Sequence, residues 1–117
     1  MLKVFITDDH ELYLEGLVLL LNKQPGIQVV GSALTGKELL QKLPGLEVNI
    51  LLLDVHLPDT GEEELLKKIR TLHPELKILY LTIMRGTRYI HKLIRHDIHG
   101  YVLKNTSIEE LVKALNS

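Results

Sequence analysis

The sequence predicts a doubly wound α/β domain, in which a five-stranded parallel sheet carries helices on both faces. Three observations carry this. Short aliphatic runs alternate strictly with longer segments of helical period, giving five β–α pairs in 117 residues. Pro25-Gly26 and Pro44-Gly45 punctuate the chain just after helical segments. Val48–Leu53 is almost uninterrupted aliphatic sequence, which suits a strand buried on both faces.

The elements follow in order. Leu2–Thr7, rich in β-branched residues, reads as the first strand. Glu11–Lys23 reads as a helix, with Leu12, Leu17, Leu20 and Leu21 near helical spacing. Ile27–Val30 is a short second strand. Thr35 stands three residues before Glu38, a capping box, and Leu39, Leu40 and Leu43 continue that helix to Pro44-Gly45. After the Val48–Leu53 strand, Leu57-Pro58-Asp59-Thr60-Gly61 is a turn, and Glu62–Leu72 is a helix that must end before Pro74. Lys77–Leu81 is the fourth strand, Thr87–His96 a weaker helix and Gly100–Leu103 the fifth strand. Ser107 and Glu110 form a second capping box, opening a last helix with Leu111 and Leu115 inward.

Composition removes several function classes. The formal net charge is −1, so a globally cationic surface for nucleic acid or anionic lipid is not expected. With no cysteine, there are no disulfides, zinc–thiolate sites or iron–sulfur clusters. Runs such as Leu17–Leu21 fall far short of the roughly 18 apolar residues of a membrane helix, so no membrane association is expected. No signal peptide is evident before Val4-Phe5-Ile6, and a cytoplasmic setting is expected. Gly16, Gly26, Gly31 and Gly36 lack the spacing of a nucleotide-binding loop. No linker or repeat divides the chain, which reads as one domain over 1–117. It stops soon after the last helix begins, which suits a piece of a longer protein.

Ligands of such sheets bind beyond the carboxyl ends of the strands. Those ends carry Asp8 and Asp9, Asp54, Thr82 and Lys104. Taken singly, Asp8 or Asp9 could cap the first helix, Asp54 could cap a turn, and Lys104 could be a solvated surface residue. Taken together, three carboxylates on one edge repel. At about 4 Å and an effective dielectric near 20, each like-charge contact costs on the order of 4 kcal/mol. A hard divalent cation such as Mg²⁺ relieves that repulsion. Mg²⁺ beside a carboxylate nucleophile, with an ammonium and a hydroxyl nearby, suits phosphoryl transfer through an acyl phosphate.

Four stretches, Asp8-Asp9-His10, Leu51-Leu52-Leu53-Asp54-Val55-His56-Leu57-Pro58, Leu81-Thr82 and Gly100-Tyr101-Val102-Leu103-Lys104, carry a resemblance. The chain resembles, over essentially its whole length, the receiver domain of bacterial two-component response regulators. Asp8-Asp9-His10 and the ending Leu103-Lys104-Asn105-Thr106-Ser107 look most like the branch with a C-terminal LuxR-type helix-turn-helix output domain; none is present in these residues. The resemblance implies a flavodoxin-like receiver topology with strand order 2-1-3-4-5. It implies that Asp54 accepts phosphate from a sensor histidine kinase or phosphotransfer protein. It implies Mg²⁺ held by Asp8, Asp9, Asp54 and the backbone carbonyl of His56. Thr82 and Lys104 then contact the phosphoryl group, Tyr101 is the aromatic switch, and His56, Ile83 and Met84 tune the lifetime of the phosphorylated state. Transcription would be controlled through a DNA-binding domain outside this chain, and a homodimer is possible.

Some positions depart from the family's pattern. Ile83 is bulky where many receivers have Ala or Gly, which would narrow access to Asp54. Asn105 stands where proline is common, leaving the Lys104–Asn105 peptide geometry open. Arg85, Arg88, Lys92 and Arg95, at i, i+3, i+7 and i+10, form one stripe that begins just before the Thr87–His96 helix and runs along it, a solvated face, an acidic-partner contact or a DNA contact. Tyr89, Ile90, Leu93 and Ile94 on that helix cannot all face inward. His91, His96 and His99 lack the pairing of a helical zinc site and are expected to be exposed or hydrogen-bonded. Two alternatives to a switch remain. A haloacid-dehalogenase-like hydrolase would want an Asp where His56 stands. A stand-alone or phosphate-independent interaction module would form no aspartyl phosphate.

Overall fold

The computed structural model describes residues 1–55, 57–83 and 98–117. Strand β1 (Leu2–Thr7) leads to helix α1 (Glu11–Asn22), β2 (Ile27–Ala33) to α2 (Gly36–Lys42), and β3 (Ile50–Asp54) to α3 (Glu62–Leu72). Then come β4 (Lys77–Thr82), β5 (Gly100–Leu103) and α4 (Ile108–Leu115). The sheet is parallel throughout, in the order β2-β1-β3-β4-β5, as the resemblance implies. The expected Thr87–His96 helix, with its basic stripe and its histidines, lies outside the described residues. No helix among the described residues is long and apolar enough to cross a membrane.

Strand alternation sends successive side chains to opposite faces, and here both faces are covered. On one side Phe5, Leu51, Leu53, Ile78 and Tyr80 pack with Leu39, Leu65 and Ile69 from α2 and α3. On the other, Val4, Ile6, Ile50, Leu52, Leu79 and Leu81 pack with Leu14, Leu17 and Leu21 of α1 and Leu111 and Leu115 of α4. This double burial is why Ile50–Leu53 has no polar position. It also explains a difference in α1, whose inward residues are Leu14, Leu17 and Leu21. Leu12 (84% exposed) and Leu20 face outward. Seven apolar side chains in a twelve-residue helix fit more than one stripe, and only the sheet beneath selects among them.

The caps follow the residue pattern. Thr35 Oγ1 accepts from the Glu38 amide (3.1 Å), and Ser107 Oγ accepts from the Glu110 amide (3.2 Å). The returning bond of the first box runs to Leu34, whose N–H donates to Glu38 Oε1 (2.8 Å). Gly26 and Gly45, after α1 and α2, have φ of 79° and 82°, the left-handed region where glycine is at no disadvantage. His73 leaves helical geometry directly before Pro74.

Two strand boundaries differ from expectation by more than one residue. β2 continues through Gly31-Ser32-Ala33, which pair with Phe5, Ile6 and Thr7 after a register shift between Val4 and Phe5. The signal is weak because Gly31 has no side chain, and it has none because the Phe5 ring lies there. A Cβ at Gly31 would sit 2.6 Å from Phe5 Cε2. β3 starts at Ile50 because Asn49 is engaged separately. Its Oδ1 accepts from the Lys3 amide (2.7 Å), and its own N–H donates to the Lys3 carbonyl (2.8 Å).

The turn after β3 is tied to α2. Asp59 Oδ1 accepts from the Gly36 amide and Oδ2 from the Lys37 amide, both at 2.9 Å. These bonds, Gly36 foremost, hold the Asp59 carboxyl below its ordinary range. Because the folded value is depressed, the tether is complete above the unfolded value and is lost as pH falls through the folded one. An NMR titration should show the Gly36 and Lys37 amides changing together, with a midpoint below that of an ordinary aspartate. In the core, Gly31→Ala should lower the free energy of unfolding in urea by about 1–3 kcal/mol, because buried Phe5 must shift.

Candidate functional site

The backbone ladder positions the site. β1 and β3 are neighbours at the point where strand order reverses, and a crevice opens beyond their carboxyl ends. At the end of β1, the Asp8 N–H donates to the Ala33 carbonyl of β2 (3.0 Å). Asp54 ends β3 opposite Leu81, and the Val55 N–H donates to the Leu81 carbonyl (3.2 Å). Thr82 ends β4 opposite Leu103, and the Lys104 N–H donates to the Thr82 carbonyl (2.8 Å). Four residues far apart in sequence are thereby fixed on one sheet edge.

Their side chains form a compact charged group. Lys104 Nζ lies 2.8 Å from Asp8 Oδ2 and 3.2 Å from Asp54 Oδ2. Asp8 and Asp54 are buried, and the lysine side chain nearly so. The ammonium thus offsets the repulsion between two carboxylates taken out of water. The Tyr13 ring of α1 lies 5.3 Å from Nζ, close enough for a cation–π contact. Burial, then the negative charges of Asp8 and Asp54, push the Tyr13 phenol up to about 12.

The helix-capping alternative for the acidic pair does not hold. The residue at the N-cap of α1 is His10, with no side-chain cap bond. Asp8 Oδ1 instead accepts from the His10 amide (2.8 Å) and lies 3.0 Å from His10 Nδ1. Asp9 is exposed, its Oδ1 3.5 Å from His10 Nδ1. One potential ligand atom each from Asp8, Asp9, His10 and Asp54 lies within 4.8 Å of the others. Opposite oxygens around Mg²⁺ stand about 4.2 Å apart, given bonds of about 2.0–2.1 Å. Asp8 Oδ2 is buried, with the Lys104 ammonium as its charged neighbour at 2.8 Å. The donor set therefore fits a hard divalent cation.

The other expected residues are placed as follows. Thr82 is buried at the edge. Tyr101 stands on β5 opposite Tyr80, 38% exposed. Ile83 directs most of its surface to solvent (73% exposed). No peptide bond among the described residues is cis, so Lys104–Asn105 is trans. His99 Nδ1 accepts from the Ile78 amide (3.1 Å), a hydrogen-bonding role as expected. His56 and Met84 lie outside the described residues. Sequence reasoning assigned no role to His10, Tyr13 or Asp59. His10 adjoins the acidic pair and Tyr13 follows one helical turn later, but nothing local says that both turn toward position 104.

Replacing Lys104 by Met leaves the buried carboxylates without their counter-charge. In metal-free urea unfolding, Lys104→Met should cost about 3 kcal/mol, and added Mg²⁺ should recover part of the loss.

Comparison with known proteins agrees with this geometry. The model of the response regulator receiver domain family matches residues 4–116. The response regulator GacA of Pseudomonas syringae pv. syringae is 33% identical over 115 residues, 98% of this chain and 54% of that protein. The oxygen regulatory protein NreC of Staphylococcus aureus is 36% identical over 118 residues, 99% of this chain and 54% of that protein. The chain thus spans about half the length of the curated relatives it matches. Among solved structures, the isolated REC domain of RcsB from Salmonella enterica serovar Typhimurium, in the presence of phosphomimetic BeF3−, superposes with a TM-score of 0.87 at 30% identity. That match covers 98% of this chain and 86% of the other. A LuxR-family DNA-binding response regulator from Staphylococcus aureus gives 0.87 at 26%, covering 99% and 97%. On sequence, fold and site together, the chain belongs to the receiver domain family of two-component response regulators, in the branch that includes the LuxR-family regulators.

Proposed function

We propose that Asp54 accepts a phosphoryl group from a phosphohistidine of a sensor histidine kinase or phosphotransfer protein. The observation that carries this is the Lys104 ammonium held between Asp54 and Asp8 at a sheet switch point. A carboxylate oxygen of Asp54 attacks phosphorus and the P–N bond breaks. The imidazole leaves with the bonding electron pair and an acyl phosphate remains on Asp54. Asp8, Asp9, Asp54 and the His56 carbonyl would hold Mg²⁺, which offsets charge on the phosphoryl oxygens. Lys104 neutralises a further oxygen, and Thr82 offers its hydroxyl from the end of β4. The chain catalyses its own phosphorylation and dephosphorylation and no other reaction, with His56, Ile83 and Met84 adjusting the rate.

The modification works as a switch because its new bonds exist in only one conformation. Phosphorylation adds charge and three acceptor oxygens. Moving a two-state equilibrium from 1:99 to 99:1 takes about 5.5 kcal/mol. A few charge-assisted hydrogen bonds of about 1.5–3 kcal/mol each, from Thr82 and Lys104, suffice. Tyr101, half in solvent at the neighbouring strand, turns inward as Thr82 engages the phosphoryl group. RcsB has been solved bound to a promoter in the presence of phosphomimetic BeF3−. By analogy, the switch here governs transcription in the cytoplasm, through a DNA-binding domain beyond this chain and possible pairing of two copies.

Incubation with acetyl phosphate or a phosphorylated kinase should add one phosphoryl group by intact mass, only with Mg²⁺ present, and Asp54→Asn should add none. Labelling of Asp54→Asn at another residue would overturn the assignment. A complete lack of adduct under a competent kinase would favour a phosphate-independent interaction module. Rapid turnover of external phosphoesters would favour a hydrolase.

A further inference from the structure

Gly16 stands in the interior of α1, a position that disfavours glycine more than any residue except proline. Among the described residues nothing requires it. Its φ is not in the left-handed region, and a Cβ there would meet no atom within 4 Å. Gly31 is the opposite case, since the Phe5 ring takes the space of its side chain. At position 16 the missing side chain leaves open a cavity of about 220 Å³ between α1 and α4. Its floor is apolar and reaches the sheet, with Leu17, Leu81, Val102 and Leu111 all buried. Leu12 and Leu20, one turn to either side of Gly16 on α1, are its exposed rim. A floor of this kind has no hydrogen-bond partners for water, and cavities so lined take apolar guests.

We propose that this cavity binds a compact, uncharged aromatic molecule of one or two rings. A cavity of roughly 150 Å³ with such a lining holds benzene, so this one has room for a ring system of about indole's size. The cavity selects against charge, because its one cation, the Lys104 ammonium, is already committed to Asp8 (2.8 Å) and Asp54 (3.2 Å). Thr106 and Ser107 bring hydroxyls to one side, which suits a single polar atom on the guest. Tyr13 and Lys104 form the wall shared with the carboxylate cup, the Tyr13 ring lying 5.3 Å from Nζ. Leu81 on the floor directly precedes Thr82. A bound ring therefore gives the domain a second input, which reaches Lys104 without a phosphoryl group. The site stands apart from phosphoryl acceptance and does not rest on it.

The test titrates indole into the isotopically labelled protein and follows it by NMR. Binding should saturate with a Kd of about 1 mM or tighter. The amides of Gly16, Leu17, Val102 and Leu111 and the Tyr13 ring should shift together, and toluene should compete. Gly16→Leu extends a side chain into the open space. It should raise the urea midpoint, because a better helix former replaces glycine, and weaken indole by at least about tenfold. Leu19→Ala, on α1 but outside this cavity, should leave the affinity unchanged. Shifts that do not saturate, absence of competition by toluene, or full affinity in Gly16→Leu would overturn the inference. So would a wild type that is dimeric in sedimentation and a Gly16→Leu variant that is monomeric, since the cavity would then hold a side chain of a second copy. In each of these cases phosphorylation of Asp54 is unaffected, whereas a missing adduct at Asp54 with indole binding intact would bring down only the proposed function.

Discussion

The Lys104 ammonium, held between Asp8 and Asp54, is the contact on which the site depends. Two carboxylates buried a few ångströms apart would repel strongly in a medium of low effective dielectric. Here a cation supplied by the chain itself stands between them. The arrangement is stable enough to fold and remains responsive. Any change of charge at Asp54 must redistribute the partners of Lys104. Lys104 follows β5 directly, and its backbone is hydrogen-bonded to Thr82, so that redistribution reaches two strands at once.

The precision of the cup comes from the sheet. Asp8, Asp54, Thr82 and Lys104 sit at the ends of hydrogen-bonded parallel strands, whose register is set by residues buried on both faces. A one-residue slip of β3 would exchange the two faces and carry Asp54 out of line with Leu81. Apolar packing and charged chemistry are therefore coupled along the same backbone. Around this rigid frame the turn after β3 is secured separately, by Asp59 at the start of α2. Gly36 lets the two segments meet, since a Cβ there would come within 2.7 Å of Thr60 Cγ2.

Much of the molecule was legible in the sequence. Alternating periods, proline–glycine stops and capping boxes mark the described strands and helices, and the strand ends carry Asp8, Asp54, Thr82 and Lys104. These signals are local, acting over a few residues or one helical turn, so they survive in the chain as spacing and composition. The run Ile50–Leu53 even reported its own two-sided burial, because a strand covered on both faces has no place for a polar side chain.

What the tertiary structure alone decided involves partners distant in sequence. The inward stripe of α1 was ambiguous because a helix rich in leucine fits several faces, and the sheet chose one. The length of β2 was hidden because Gly31 is explained only by the Phe5 ring against it. The approach of His10 and Tyr13 to Lys104, more than ninety positions later, left no local trace either. Spacing along the chain encodes which groups reach the sheet edge; three-dimensional packing determines which of them touch, because contact distance and charge act through space with no regard to sequence separation.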